Sequence, residues 1–335
     1  MSEQRRALQP VRSATQQGGS PDGRGEVQMV PEEETRNYYG RPILKEPTWT
    51  WEIPSYFFAG GLAGASSGLA LAARLAGNDK LARRALLAAL GGAAVSPVLL
   101  ISDLGRPERF YEMLRVIKPT SPMSVGTWVL SFFGPATGLA VAHDLLGVFP
   151  RLGRLPEAIS AVLGLPLATY TAVLIADTSV PVWHEARRDL PLVFAASSAA
   201  SAGAAAAILT PVGDAGPARR LAVGGALLEL GAVEFMKRRL GKFLAEPYES
   251  GKPRRYERLA KTFSGLGAAV MAFAGRGSRA AVTVGGAMVL AGAVCERWSI
   301  YEAGFASSRD PKYTVMPQRE RLRERLGERV GARRG

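Results

Sequence analysis

SPVLLISDLGRPERFYEMLRVIKPTSPMSVGTW, residues 96–128, decides how the chain is read. It begins inside an apolar helix and meets an acid, Asp103, where that helix should leave a bilayer. A basic and aromatic loop follows, with Arg106, Arg109, Phe110, Tyr111, Arg115 and Lys118. Pro119 and Pro122 close the loop, and a second apolar helix begins. An acid held at a bilayer rim beside arginines and rings is costly to place without a purpose.

Working outward, further apolar runs of the length a bilayer requires, roughly 20 residues each, lie on both sides. Eight spans are predicted, at 53–76, 85–104, 124–146, 156–177, 190–212, 217–236, 258–275 and 279–298. The expected fold is all-α, an integral membrane protein of eight transmembrane helices. A break near 178–189 suits two four-helix bundles. A transmembrane domain over 48–304 would sit between a disordered polar tail, 1–47, and a basic tail, 305–335. Arg319 to Arg334 is charged at helical spacing and reads as a surface helix or a disordered tail. In the first span Gly60, Gly64 and Gly68 fall four apart, so they share a helix face that lets a neighbour approach closely. Arg5 and Arg6 are not followed by an apolar run, so no export signal is read there.

The net charge of +13 would suggest nucleic acid in a soluble protein. Here the charge sits in the tails and between apolar runs, which points to a membrane surface and acidic partners, with no nucleic acid. The sixth loop is rich in Lys and Arg, from Lys237 to Arg255, whereas the odd loops carry fewer. That count places both termini in the cytoplasm. One cysteine, Cys295, cannot hold an iron–sulfur cluster, and two histidines, His143 and His184, leave at most one bis-His haem.

Ionisable residues in or at the ends of spans are the candidates for chemistry: Asp103, His143, Asp144, Asp177, Glu229, Glu234, Glu296 and Arg297. Asp144 and Arg297 fit snorkelling to the interface. Glu229, in LLELGAVEF, does not; it should be protonated, paired or beside water, as part of a proton relay or a structural ion pair. Trp49, Trp51, Tyr56, Phe57 and Phe58 open the first span as an interfacial belt would. Flat rings beside Glu46 and Glu52 also suit a quinone, which needs apolar walls, hydrogen-bond partners for two carbonyls and a proton path. Tyr170 lies mid-span, where a buried hydroxyl needs a partner. There is no nucleotide-binding loop, metal-ligand spacing or nucleophile–base pattern.

Four stretches resemble the NrfD/PsrC family, the quinone-interacting membrane subunits of polysulfide reductase-type molybdoenzyme complexes. They are TWTWEIPSYFFAGGLAGAS (48–66), ISDLGRPERFYEML (101–114), KPTSPMSVGTW (118–128) and TYTAVLIADTSVPVWHEA (169–186). The likeness runs from about 38 to 316 and has the character of actinobacterial members. It implies a haem-free subunit with no iron–sulfur cluster of its own. Such a subunit exchanges electrons between a four-cluster iron–sulfur partner and membrane quinone, menaquinone or ubiquinone, with a molybdopterin catalytic subunit behind the partner.

The resemblance places the quinone where the first span meets the fourth, with Tyr170 as the matching tyrosine and Asp103, with Arg106 nearby, on a proton route. Thr50 stands between Trp49 and Trp51 where the family's polysulfide reductase has a histidine, so either Thr50 or Glu52 takes over that bond or proton exchange. In well-known relatives the pocket faces outside, opposite to the charge count. The expected quinone residues are therefore Trp49, Thr50, Trp51, Glu52, Asp103, Arg106 and Tyr170. The expected proton path is Asp103, Asp177, Glu229 and Glu234. The expected location is the bacterial inner membrane. The rival is a proton-coupled secondary transporter, supported by the intramembrane acids and by helix-breaking Gly and Pro.

Overall fold

A computed structural model describes residues 43–148, 151 and 154–332. Most of the predicted N-terminal tail, 1–42, lies outside the described residues. The chain is all-helical. The helices are α1 (Glu52–Leu75), α2 (Asp79–Ser102), α3 (Pro122–Leu146), α4 (Leu155–Ala176), the short α5 (Pro181–Glu185), α6 (Leu190–Leu209), α7 (Gly216–Glu249), α8 (Gly251–Phe273), α9 (Arg279–Arg309) and α10 (Lys312–Ala332). A 310 helix, Pro107–Arg115, follows α2. Six of them, α1, α2, α3, α4, α6 and α9, are long and apolar enough to cross a membrane. The protein is a multi-pass membrane protein. α7 and α8 match these in length but carry Lys and Arg along them, including Lys237, Arg238, Arg239 and Lys261.

Helix contacts sort into two groups of four. α1 packs on α2 and α4, and α3 closes that ring; α6 and α8 each pack on α7 and α9. α5 connects the groups, and α1 with α6 and α9 joins them. Their interior has two halves of different chemistry. One is filled by large rings: Tyr56, Phe57, Phe133, Trp183, Phe194 and Tyr248. The other is largely alanine, from Ala82 and Ala85 to Ala200, Ala204 and Ala222. Between helices in lipid there is little hydrophobic drive, so small side chains that bring backbones together are the packing device.

The helices depart from the predicted runs where charge hid helical signals. α2 begins at Asp79 rather than 85, because the Asn78 side chain accepts the Leu81 N–H (3.0 Å) and caps a first turn too polar to count as span. The wide sixth loop is mostly helix. α7 continues to Glu249, broken only at Gly241, whose φ of 73° is open to glycine and strained for other residues. α9 runs on to Arg309, past the expected end at 298. The final basic segment contains α10. Its first turn is tied to the end of α7 by Lys312 and Glu246 (3.0 Å), a bond that holds the Glu246 carboxyl below its usual range. Arg321 binds Glu185 of α5. Arg309 and Glu46 pair at 2.9 Å, so the approach to α1 and the end of α9 share one rim.

The glycine seam of α1 is realised only in part. A Cβ on Gly64 would fall on the Gly164 carbonyl oxygen and lie 3.0 Å from the Ala168 amide nitrogen. Gly68 faces open space. The contact that matters is therefore Gly64 against Gly164, where α1 and α4 touch backbone to backbone. Gly64→Leu should force the helices apart and cost about 1–3 kcal/mol or more. Gly68→Leu should leave the thermal midpoint in detergent nearly unchanged. Equal behaviour of the two variants would remove the seam.

Candidate functional site

The chain enters α1 through Trp49, Thr50 and Trp51, and at that point Asp103 ends α2. Thr50 donates both its backbone N–H (3.1 Å) and its hydroxyl (3.0 Å) to Asp103 Oδ1, and its hydroxyl also contacts Glu52 Oε2. A carboxylate at a helix C-terminus faces the negative end of the helix dipole. Helix stability alone does not call for Asp103 there; the Thr50 donors offset the cost and staple the start of α1 to the end of α2. A hydroxyl carries one proton, so Thr50 can donate to one carboxyl group only. The three side chains form one hydrogen-bonded group.

One turn deeper on α1, four residues on and on the same face, Tyr56 meets Tyr170 of α4 hydroxyl to hydroxyl. The rings pack edge-on, 6.3 Å between centroids, and both are buried. The sequence makes room for them with glycine. Gly126 of α3 lies under the Tyr170 ring where no Cβ would fit, and Gly60 lies against Tyr56. Each hydroxyl is the other's partner, which meets the need that a mid-span tyrosine creates.

Trp49 stacks on Trp183 of α5 at 5.9 Å, and its carbonyl accepts the Tyr301 hydroxyl at 2.6 Å. Trp183 donates its indole N–H to the Ile300 carbonyl (2.8 Å) and fills the space left by Gly304. Three segments far apart in sequence thus meet beside Thr50. Sequence reading missed Trp183, although it stands in the quoted stretch 169–186, and Tyr301, because nothing local says which rings meet. It also took Tyr56 for part of an interfacial belt.

The remaining expected residues separate. Trp51 is 58% exposed and lies on the outside of the rim, as an interfacial anchor does. Arg106 precedes the 310 helix and is exposed, as is Asp177 at the end of α4. Glu234 lies on the surface of α7 with Arg238 (3.5 Å) and Lys261 (3.7 Å). Glu229 is 1% exposed, and Ser264 approaches it at 3.5 Å.

Two expectations of snorkelling are corrected. Arg297 is 1% exposed, because α9 continues past it and leaves it mid-helix in the protein interior. It donates to the Phe194 carbonyl (3.0 Å) and Ser198 Oγ (3.2 Å), and its guanidinium lies 3.7 Å from the centre of the Phe194 ring. Glu296 beside it is 3% exposed. Glu229 Oε1, Glu296 Oε1, and Arg297 Nε and Nη1 are buried without a hydrogen-bond partner among the described residues. Asp144, at the opposite end of the first bundle, is held by Arg74 and Arg83, each at 2.9 Å, while Arg74 also binds Glu157 (3.2 Å). It is fixed in an ion network rather than reaching for solvent.

Between the Tyr56 pair and that network, Ser67 donates to the Ser160 carbonyl (3.2 Å), and Thr137 and Ser160 share a hydrogen bond (2.7 Å). From Tyr56 to Ser67 the α1 face offers Gly60 and Gly64, a polar gap of about 16 Å at the helical rise. Among the described residues no direct side-chain hydrogen bond spans that stretch. Residues 44–236 match the family model described as Polysulphide reductase, NrfD. The match includes every rim residue from Trp49 to Tyr170 and ends before Glu296, Arg297 and Tyr301. No curated protein matches the chain.

Proposed function

Because the chain belongs to the polysulphide reductase NrfD family, membrane subunits of polysulfide reductase-type oxidoreductases, we propose that it exchanges electrons between an iron–sulfur partner and membrane quinone. The observation that carries the reading is the Glu52–Thr50–Asp103 group one helical turn above the Tyr56–Tyr170 pair. Two carboxyl groups and three hydroxyls, set against aromatic and aliphatic walls, are the donor set a quinone headgroup requires. Menaquinone and ubiquinone share that requirement.

A quinone takes up two electrons and two protons on becoming a quinol. The chain's part is to hold the ring and handle protons. Asp103 and Glu52 exchange a proton through Thr50, which stands where the family's polysulfide reductase has histidine. Tyr170, partnered by Tyr56, directs a hydroxyl at the inner edge of the site. Arg106, three residues beyond Asp103, supplies positive charge at the mouth. Electrons pass between the quinone and a four-cluster iron–sulfur subunit docked on the rim and joined to a molybdopterin catalytic subunit. The Lys and Arg count puts this rim on the cytoplasmic face of a bacterial inner membrane.

A proton path through the second bundle would use Glu229 with Glu296 and Arg297. Glu257, Lys261 and Glu234 lead from that cluster to the surface, with Lys261 binding Glu257 at 2.8 Å. Asp177 and Glu234 would be water-facing ends. That same cluster is what favours the rival reading, a proton-coupled transporter. Purification in mild detergent, with iron, molybdenum and quinone assayed in the eluate, separates the two. All three together are expected. The chain alone, with no metal and no quinone, would overturn the oxidoreductase reading and favour the transporter.

A further inference from the structure

A groove of about 230 Å³ runs between α2 and α3 under the 310 helix. It starts at Leu104, next to Asp103, and reaches Pro97 and Pro135. These prolines sit inside α2 and α3, where each removes an intrahelical hydrogen bond and disturbs regular packing. The 310 helix covers the groove with Phe110, Met113 and Leu114. The Arg109–Glu112 pair (2.8 Å) of that element is half-exposed. The only hydroxyls in the lining, Thr127 and Ser131, donate back to carbonyls of their own helix, Met123 (2.9 Å) and Thr127 (2.7 Å). Nothing polar is therefore offered to an occupant. Leu130 lines the groove and also belongs to the core that contains Tyr56 and Tyr170.

The geometry points to this groove as the seat of the first isoprene units of the quinone side chain. The ring would lie at the Asp103 end, and the chain would leave for the bilayer between α2 and α3. This rests on the quinone reading above and names a part of the substrate that reading leaves unplaced. A hydrocarbon chain fits a lining with no free polar group, and the groove's closeness to Asp103 and sharing of Leu130 with the tyrosine core tie it to the ring rather than to an independent lipid. The 310 helix then acts as a cover at the membrane surface that recognises the tail.

Gly134 gives a clean test. It lines the groove, and a Cβ built on it meets nothing within 4 Å, so a larger side chain enters the groove without displacing a helix. Gly138, one turn along α3, also faces open space but does not line the groove. In the detergent-solubilised complex, Gly134→Leu should raise KM for a long-tailed quinone about tenfold or more, the loss expected from a few displaced methylenes. KM for a tail-less naphthoquinone should be unchanged, and Gly138→Leu should alter neither.

Independently of turnover, a quinone with a photoreactive group on its second isoprene unit should label residues within 97–104, 110–114 and 127–135, and Gly134→Leu should suppress that labelling. Equal KM values for Gly134→Leu and the unsubstituted complex, or labelling elsewhere, overturn the inference and leave the ring site standing. Labelling of the groove by a photoreactive phospholipid that long-tailed quinone does not displace assigns it to lipid and overturns the inference too. If the unsubstituted complex neither turns over nor binds either quinone, the functional reading falls, and this inference with it.

Discussion

Asp103→Asn is expected to lose about 10²–10⁴-fold in quinone-linked turnover while the subunit still folds and still holds its partners. The expectation follows from what the side chain does. Asp103 accepts two donors from Thr50, and an asparagine oxygen can accept the same two, so the staple between α1 and α2 survives. What asparagine cannot do is take up and release a proton. Turnover is thereby separated from assembly, and the thermal midpoint in detergent should barely move. Tyr170→Phe makes the contrast. It leaves the Tyr56 hydroxyl buried without its partner, a loss of about 1–3 kcal/mol, so its activity must be compared at matched stability. Normal turnover in Asp103→Asn would withdraw that proton exchange from the mechanism.

The second large effect is in the other bundle. Arg297→Met should destabilise the subunit by about 1.5–3 kcal/mol, the usual worth of a hydrogen bond from a charged donor to a buried acceptor. Methionine fills much of the volume but gives up the bonds to the Phe194 carbonyl and Ser198, and the stack on the Phe194 ring. It also removes a positive charge buried in the same interior as Glu229 and Glu296. Adding Glu229→Gln and Glu296→Gln should recover part of the loss, because neutral amides in place of the two carboxyl groups need no counter-charge. Unfolding of the purified subunit in detergent, followed by temperature, measures both steps. An unchanged midpoint in Arg297→Met would mean that Arg297 does not hold this cluster together.

Six of the eight predicted spans were legible because a bilayer needs long apolar runs, and Asp103 because an acid there breaks such a run. The Asn78 cap went unread because apolarity counting skips a helix start that carries Asp79, Lys80 and Arg83. Arg297 was misplaced for a related reason. A charged residue after an apolar run reads as the run's end, whereas α9 goes on through Tyr301 and Phe305 because the protein, not lipid, surrounds that turn. Gly68 shows the limit of spacing rules: a glycine every fourth residue defines a face, but only the partner helix decides where that face is used. Trp51 shows the same limit for rings, since Trp49 and Trp51 differ by half a turn of chain and only one turns inward onto Trp183. The Tyr56–Tyr170 pair needed α4 beside α1, a tertiary fact that no local pattern contains.

The meeting of Trp49, Trp183 and Tyr301 has a consequence for how the subunit is made. Segments are delivered to a membrane in order from the N-terminus. α1 to α4 can gather early, and Thr50 can find Asp103 as soon as α2 is in place. The Trp49 carbonyl and the Trp183 indole, however, wait for Tyr301 and Ile300 on α9, the last of the helices apolar enough to cross. The rim is thus completed at the end of biosynthesis rather than during it. A chain interrupted before α9 would have its acids in position but no finished surface around them, so the incomplete product would be poorly suited to bind quinone or recruit a redox partner.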